Sequence, residues 1–265
     1  KFMNLSDGLK DNYNSLMNPS KWLYLAYMDV LLRYKRTLLG PWWITLSIGV
    51  IILSLSFVWP TVLSVDLSFF VPYFTIGYVM WHWIQSSVLE SSSSFIEFEG
   101  LLKQIKIPIS TYLLRVTTRN FFIFIHNFTL IVIALVFFNS DVYLLNFFLI
   151  SVPSLLLIFI SINSIGVLLA FASIRYRDLI NIIGFILQLL FFFTPILWHP
   201  SILGKSIALV NMNIIYHWIE IVRQPLLGMK IPDYSFIIIA LSTLFLLLLS
   251  FIVIGKYQNK FVYWL

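Results

Sequence analysis

Cysteine is absent from the sequence, so disulfide bonds, thiol catalysis and thiolate metal sites are excluded. Charged residues are scarce, at 11%, whereas a soluble domain carries about 25%. Histidines are also few, and His82, His126, His199 and His217 include no pair at the spacing of a metal site. These absences argue against a metalloenzyme and against a chain that folds as a soluble globular domain.

A complete phosphate-binding loop is missing as well. Gly204, Lys205 and Ser206 match the end of such a loop, but His199 stands where its first glycine is required. We therefore expect no nucleotide, cofactor or metal in this chain, and we assign no catalytic residue. If ATP and Mg²⁺ are used, a separate nucleotide-binding subunit must hold them.

Apolar residues, in contrast, make up 60% of the chain and form six long runs. A helix needs about 20 mostly apolar residues to cross a bilayer core of about 30 Å. The six runs cover residues 41–64, 69–89, 112–139, 144–174, 181–198 and 234–254. The sequence therefore predicts an all-α membrane protein with six transmembrane helices in a domain over residues 41–265. Residues 199–233 hold apolar stretches too short to span, which predicts re-entrant or gate helices before the last span.

Lysine and arginine are distributed unevenly between the segments that connect these runs. If the N-terminus is cytoplasmic, fourteen lie on the inner side and only Lys205, Arg223 and Lys230 on the outer side. The short outer loops carry the acidic residues Asp66 and Asp141. Because basic residues favour the cytoplasmic side, both termini are predicted inside. The net charge of +6 then reflects membrane topology, and we expect no nucleic acid partner.

Residues 1–40 are predicted to form a cytoplasmic N-terminus with an amphipathic helix over residues 20–36. The apolar residues of this helix recur at helical spacing, and its cationic end is rich in arginine and lysine. Such a helix is typical of the membrane interface. Packing against a partner protein is the alternative, and the two interpretations are compatible.

The segment between the second and third runs is polar. Residues 90–108 are predicted as a cytoplasmic loop with a short helix and a turn at Gly100. Glu97, Glu99 and Lys103 of this loop belong either to a solvated, salt-bridged helix or to a docking surface for a cytosolic subunit.

Two arginines at the start of the third run share one helix face, because Arg115 and Arg119 are four residues apart. Cations within a membrane protein usually face the bundle interior or water. One hypothesis is that they attract the phosphate of a lipid-linked donor that enters from the cytoplasmic side. The alternative is that they extend to the lipid headgroups and set the orientation of the chain.

Aromatic residues make up 18% of the chain and crowd the first two runs. Those near the ends of the runs fit the aromatic belts of a membrane interface. A second set is interpreted as the lining of a channel, because flat rings pack against the C–H faces of sugars and tolerate sliding. The predicted channel aromatics are Trp59, Tyr73, Phe74 and Tyr78.

The sequence from Arg33 to Trp43, Arg-Tyr-Lys-Arg-Thr-Leu-Leu-Gly-Pro-Trp-Trp, resembles a motif of the ABC-2 type permeases of bacterial polysaccharide exporters. In that family a basic stretch and a Leu-Gly-Pro-x-Trp segment open the first span after an amphipathic helix. The resemblance extends over nearly the whole chain. It includes the six spans, the polar loop between the second and third, and the Arg-Tyr-Arg-Asp stretch at residues 175–178.

The resemblance implies a homodimer of this chain that forms a membrane channel, with two ABC ATPase subunits docked beneath it. The amphipathic helix and the loop over residues 90–106 would contact the ATPase, and residues 199–228 would gate the outer exit. The resemblance also implies a basic stretch that recognises the headgroup or diphosphate of the lipid, or else a positive-inside anchor. The residues of that stretch are Arg33, Tyr34, Lys35 and Arg36.

Within that family, the Leu-Leu-Gly-Pro-Trp-Trp form is most similar to O-antigen exporters, which implies a polysaccharide linked to undecaprenyl diphosphate as the cargo. The chain would be a transport permease of the bacterial cytoplasmic (inner) membrane and not an enzyme. Teichoic acid and capsular polysaccharide are alternative cargoes. Two other classes are an ABC-2 exporter of drugs or small lipids and a membrane-bound acyl- or glycosyltransferase. The transferase requires paired carboxylates or a His–Asp pair near an interface.

Overall fold

The computed structural model describes residues 5–104, 107–138, 147–202, 207–258 and 260–264, and all regular structure in these ranges is helical. The all-α prediction is therefore confirmed for the described residues. Residues 139 and 144–146 of the predicted spans lie outside these ranges. Four residues interpreted above also lie outside these ranges: Asp141, Gly204, Lys205 and Ser206.

We number the helices of the described ranges in chain order. They are α1 (Leu5–Leu16), α2 (Pro19–Tyr34), α3 (Trp42–Leu63), α4 (Leu67–Glu97), α5 (Glu99–Gln104), α6 (Ile109–Phe138), α7 (Val152–Arg175), α8 (Leu179–Phe193), α9 (Ile207–Asn211), α10 (Ile214–Leu226) and α11 (Asp233–Tyr257). A π-helical turn at Phe147–Ser151 leads into α7, and a 3-10 turn at Phe261–Tyr263 follows α11.

Four helical segments are long and apolar enough to cross a membrane. They are Trp42–Leu63, Ile109–Phe138, Phe148–Arg175 and Tyr234–Tyr257. These segments coincide with the first, third, fourth and sixth predicted spans. They expose large apolar side chains, such as Phe57 at 87% and Phe245 at 62%. An extended apolar surface is unfavourable in water and is suited to lipid.

The second predicted span lies within a helix that is longer than expected. Helix α4 begins at Leu67 and runs without a break to Glu97, so residues 90–97 of the predicted polar loop are helical. The break falls at Phe98, and Gly100 lies inside α5, which corrects the predicted turn. Because α4 carries many Trp, Tyr, His and Ser side chains, it is less apolar than the four segments above.

The fifth predicted span is shorter than expected. Helix α8 has 15 residues and ends at Phe193, so the prediction of a helix to residue 198 is wrong. A helix of this length extends about 22 Å, less than a bilayer core of about 30 Å. The helix ends here because Pro195 has no backbone N–H to continue it and because the preceding residue, Thr194, adopts an extended conformation.

Helix α4 is the centre of the bundle, where it packs between α6 and α7. Phe74, Ile76, Val79 and Met80 are all fully buried on it. The approach of α7 to α4 is close, because a Cβ added to Gly166 would lie 2.7 Å from the Cβ of Ser91. Small residues at this crossing therefore allow the two helices to pack tightly.

The N-terminal helix α1 is part of the bundle, which the sequence did not predict. It packs against α11 and α6. Asp11 accepts hydrogen bonds of 2.9 Å from the backbone N–H groups of Ile109 and Ser110, and one of 2.7 Å from the Ser110 hydroxyl. The carboxylate therefore caps the start of α6 from another helix.

Candidate functional site

Five charged side chains from three helices meet between α2, α4 and α6. Arg115 donates two hydrogen bonds to the Asp29 carboxylate, of 2.7 and 2.6 Å. Arg119 donates to Asp29 at 3.5 Å and to Glu90 at 2.8 Å. Arg33 donates to the other oxygen of Glu90 at 3.2 Å. The predicted pair Arg115 and Arg119 therefore lies in one network with Arg33, and its acidic partners come from α2 and α4.

Burial divides this network into a fixed part and a more accessible part. The side chains of Arg115, Asp29 and Arg119 are 13%, 14% and 5% exposed, whereas those of Arg33 and Glu90 are 38% and 27% exposed. Burial lowers the pKa of the Arg33 guanidinium, but the Glu90 carboxylate and the Tyr34 side chain raise it and together leave the pKa above its usual value. Three guanidinium groups face two carboxylates, which leaves one formal positive charge.

A cavity of about 340 Å³ opens beside the accessible part of the network. One wall is the face of α4 on which every fourth residue points into the cavity: Tyr78, His82, Ser86 and Glu90. Residues of α3, α2 and α6 complete the lining. The remaining lining residues are Arg33, Ile44, Ser47, Ile48, Ile51, Asn120 and Ile123. The cavity is therefore polar along α4 and mostly apolar along α3.

The basic stretch at the end of α2 is divided between two cavities. Arg33 faces the cavity described above, whereas Tyr34 and Lys35 line a second cavity of about 440 Å³ with apolar residues of α2. Burial raises the pKa of the Tyr34 hydroxyl. The connection to α3 turns at Gly40, whose φ of +57° is disfavoured for residues with a side chain. Arg36 is exposed.

The predicted channel aromatics have different environments. Tyr73 and Phe74 are 2% and 0% exposed, so in this conformation neither ring is available to a sugar. They are buried because α10 and the segment after α8 cover this part of α4. Tyr78 and Trp59 are half-buried, and Tyr78 lines the cavity beside Glu90. The channel role of all four residues stays a prediction.

A second charged cluster is formed by side chains of α10, and it was not predicted from the sequence. Arg223 and Glu220 form a fully buried ion pair, and Gln224 donates a hydrogen bond of 2.5 Å to the same carboxylate. The Arg223 guanidinium lies 3.7 Å from the centre of the Tyr73 ring and donates to the Pro195 carbonyl at 3.0 Å. The signal in the sequence was a glutamate three residues before an arginine within a semi-apolar helix.

The predicted docking residues lie on the surface around α5. Glu97 is exposed, and Lys103 forms an ion pair of 2.5 Å with Glu99. The hydrogen bond from Lys103 lowers the pKa of the Glu99 carboxyl. No residue of α5 is buried. This arrangement fits a solvated helix, and the docking role stays a prediction.

Comparison with known proteins adds no identity. No family model matches the chain, and no curated protein matches it. Among the described residues, no group of three or more His, Asp or Glu side chains is arranged to hold a metal ion. The two charged clusters, the cavity and the apolar helices are the features of the chain that bear on its function.

Proposed function

We propose that this chain is the permease subunit of an ATP-driven exporter that moves a polysaccharide linked to undecaprenyl diphosphate across a bacterial cytoplasmic membrane, with O-antigen as the cargo. The cavity between α3 and α4 carries this proposal. It is lined by a cation, Arg33, and by apolar isoleucines of α3. A lipid with a phosphate headgroup has the same two parts.

The apolar helices support a membrane location. To the four segments able to span we add α4, which is long enough, and α8, which would cross together with residues 194–198. The proposal therefore keeps six spans and cytoplasmic termini. Helix α2 has Leu23, Tyr24, Tyr27 and Leu31 exposed on one side, at 39% to 61%. An apolar face next to a basic end suits the cytoplasmic interface of the membrane.

The proposal requires partners that supply energy and complete the pathway. ATP and Mg²⁺ would bind to a separate ATPase subunit that docks near α5, and two copies of the chain would form the channel. Helix α10 lies in the segment expected to gate the outer exit. Its buried contact with Tyr73 gives that gate a defined closed position.

The test is to delete the gene, analyse surface glycans on gels and extract the glycolipids that remain inside the cell. Loss of surface polymer with accumulation of lipid-linked chains inside is the expected result. Sugar analysis of the accumulated chains would then distinguish O-antigen from teichoic acid and capsule. Loss of polymer without accumulation would instead indicate a biosynthetic transferase, and an unchanged surface would favour an exporter of small molecules.

A plasmid-borne copy of the gene provides the matched control. The wild-type chain should restore surface polymer in the deletion strain. The double variant Glu99→Gln, Lys103→Gln should be present in the membrane but should not restore export if α5 contacts the ATPase. The amount of protein in the membrane, measured by immunoblotting, separates a docking defect from loss of the protein.

A further inference from the structure

Glu90 holds its two neighbouring arginines by different oxygen atoms. Its Oε2 atom accepts hydrogen bonds from Arg119 at 2.8 Å and from Asn120 at 2.6 Å. Its Oε1 atom accepts one hydrogen bond, from Arg33, at 3.2 Å. The contact with α6 is therefore short and doubled, whereas the contact with Arg33 is longer and single.

The two contacts also differ in the free energy that is lost when each ion pair is broken. Arg119 is 5% exposed, so its separation from Glu90 would leave a buried charge with only the longer contact, of 3.5 Å, to Asp29. Arg33 is 38% exposed, and ion pairs at that exposure contribute little to stability. Arg33 can therefore leave Glu90 at small cost while Glu90 stays bound to α6.

We expect Arg33 to bind a phosphate more strongly than it binds the Glu90 carboxylate, because Glu90 already accepts hydrogen bonds from Arg119 and Asn120. A guanidinium presents a planar fork of N–H donors that binds phosphate oxygens in pairs. The cavity next to Arg33 is also lined by the His82 ring and the Ser86 hydroxyl. In the same lining, Ile44, Ile48 and Ile51 form an apolar strip along α3.

We propose that Glu90 is the resting partner of Arg33 and that the phosphate of a polyprenyl phosphate or diphosphate displaces it. In the bound state Arg33 contacts the phosphate, Glu90 remains on Arg119 and Asn120, and the first isoprene units lie along the α3 isoleucines. Glu90 thereby competes with weakly bound anions and admits a ligand that also gains apolar contacts. This inference rests on the proposed function, because it names the carrier lipid at the same site.

The test is a binding titration of undecaprenyl phosphate to the purified full-length chain in detergent, read by native mass spectrometry. Glu90→Gln should tighten binding about two- to fivefold, because a competing exposed ion pair is removed. Arg33→Gln should weaken binding about tenfold or more, because a charged hydrogen-bond donor is lost. Lys21→Gln is the matched control, since it removes an exposed positive charge from the same helix outside the cavity, and it should leave binding within twofold.

Several results would overturn the proposal. One is a Glu90→Gln variant that binds no tighter than the wild type, and another is equal loss of binding in the Arg33 and Lys21 variants. Undecaprenol, which lacks the phosphate, should bind at least tenfold more weakly. Inorganic pyrophosphate should not displace the lipid at equal concentration. If it does, the isoleucine strip contributes nothing and the ligand is a free phosphate.

A further variant tests the proposal even if Glu90→Gln does not fold. Ser47→Trp places a large ring in the cavity from the exposed side of α3 and leaves every ion pair intact. It should abolish lipid binding, and undiminished binding would locate the lipid elsewhere. The binding series needs no export, so it decides on Glu90 and Arg33 even if deletion of the gene leaves surface glycans unchanged. Conversely, export with no effect of Arg33 or Glu90 on binding would reject this inference alone.

Discussion

The buried ion pair under α10 makes a quantitative prediction about stability. Arg223→Met removes the guanidinium but keeps an apolar side chain of similar length. Glu220 then remains buried with Gln224 as its partner and without an opposing charge. Breaking a buried ion pair in this way costs about 3–5 kcal/mol. For a chain of this size we expect the melting temperature to fall by about 6–20 °C.

The measurement is thermal unfolding of the purified chain in detergent, followed by circular dichroism. The double variant Glu220→Gln, Arg223→Met should be more stable than Arg223→Met alone, because it removes the buried charge as well. The matched control is Lys103→Met, which breaks the exposed pair with Glu99 and should change the melting temperature little.

Two results would refute this reasoning. If Arg223→Met is no less stable than Lys103→Met, then the pair under α10 does not hold the fold together. If the double variant is as unstable as the single one, then the loss comes from the Tyr73 and Pro195 contacts of Arg223 and not from the charge left on Glu220.

Three further predictions follow from individual contacts. Gly166→Val should destabilise the chain by about 1–3 kcal/mol in the same unfolding assay, because a Cβ there meets α4, whereas Gly100→Val meets nothing within 4 Å and has no such clash. Asp11→Ala should cost about 1 kcal/mol, because it removes the cap of α6, and an unchanged melting temperature would contradict that role. Tyr78→Ala should impair export with normal protein levels, whereas Tyr73→Ala should reduce the amount of protein in the membrane. Equal behaviour of the two variants by immunoblot and glycan gel would contradict the division made here between a cavity residue and a packing residue.

The sequence predicted the apolar helices well and the charged clusters poorly, for different physical reasons. A spanning helix is encoded by a continuous run, so helices such as α3 and α6 appear in the sequence with nearly correct ends. An ion pair between helices has no local signal: Arg115 and Asp29 are 86 residues apart. The predicted pair Arg115 and Arg119 was therefore correctly placed on one helix face, but its partners were not found.

The two errors at helix ends have local causes that hydropathy alone does not report. Hydropathy predicts that α8 continues to Trp198 because residues 194–198 are mostly apolar, although Pro195 cannot continue a helix. Helix α4 was ended at residue 89 because the segment that follows is polar. Its serines nevertheless remain helical, because they pack against α7, where Gly166 leaves room for Ser91.

Helix α4 links the two charged clusters, which suggests which parts of the chain move. Tyr73 and Glu90 are seventeen residues apart on this helix, or about 25 Å. Between them α4 is buried against α6 and α7, so it is the fixed element of the bundle. At one end it holds α10 by the stacking of Tyr73 on Arg223, and at the other it holds α2 through Glu90 and Arg33. Opening of either end would leave the α4 core intact, so the proposed lipid entry beside α2 would not require the proposed opening at α10 at the same time.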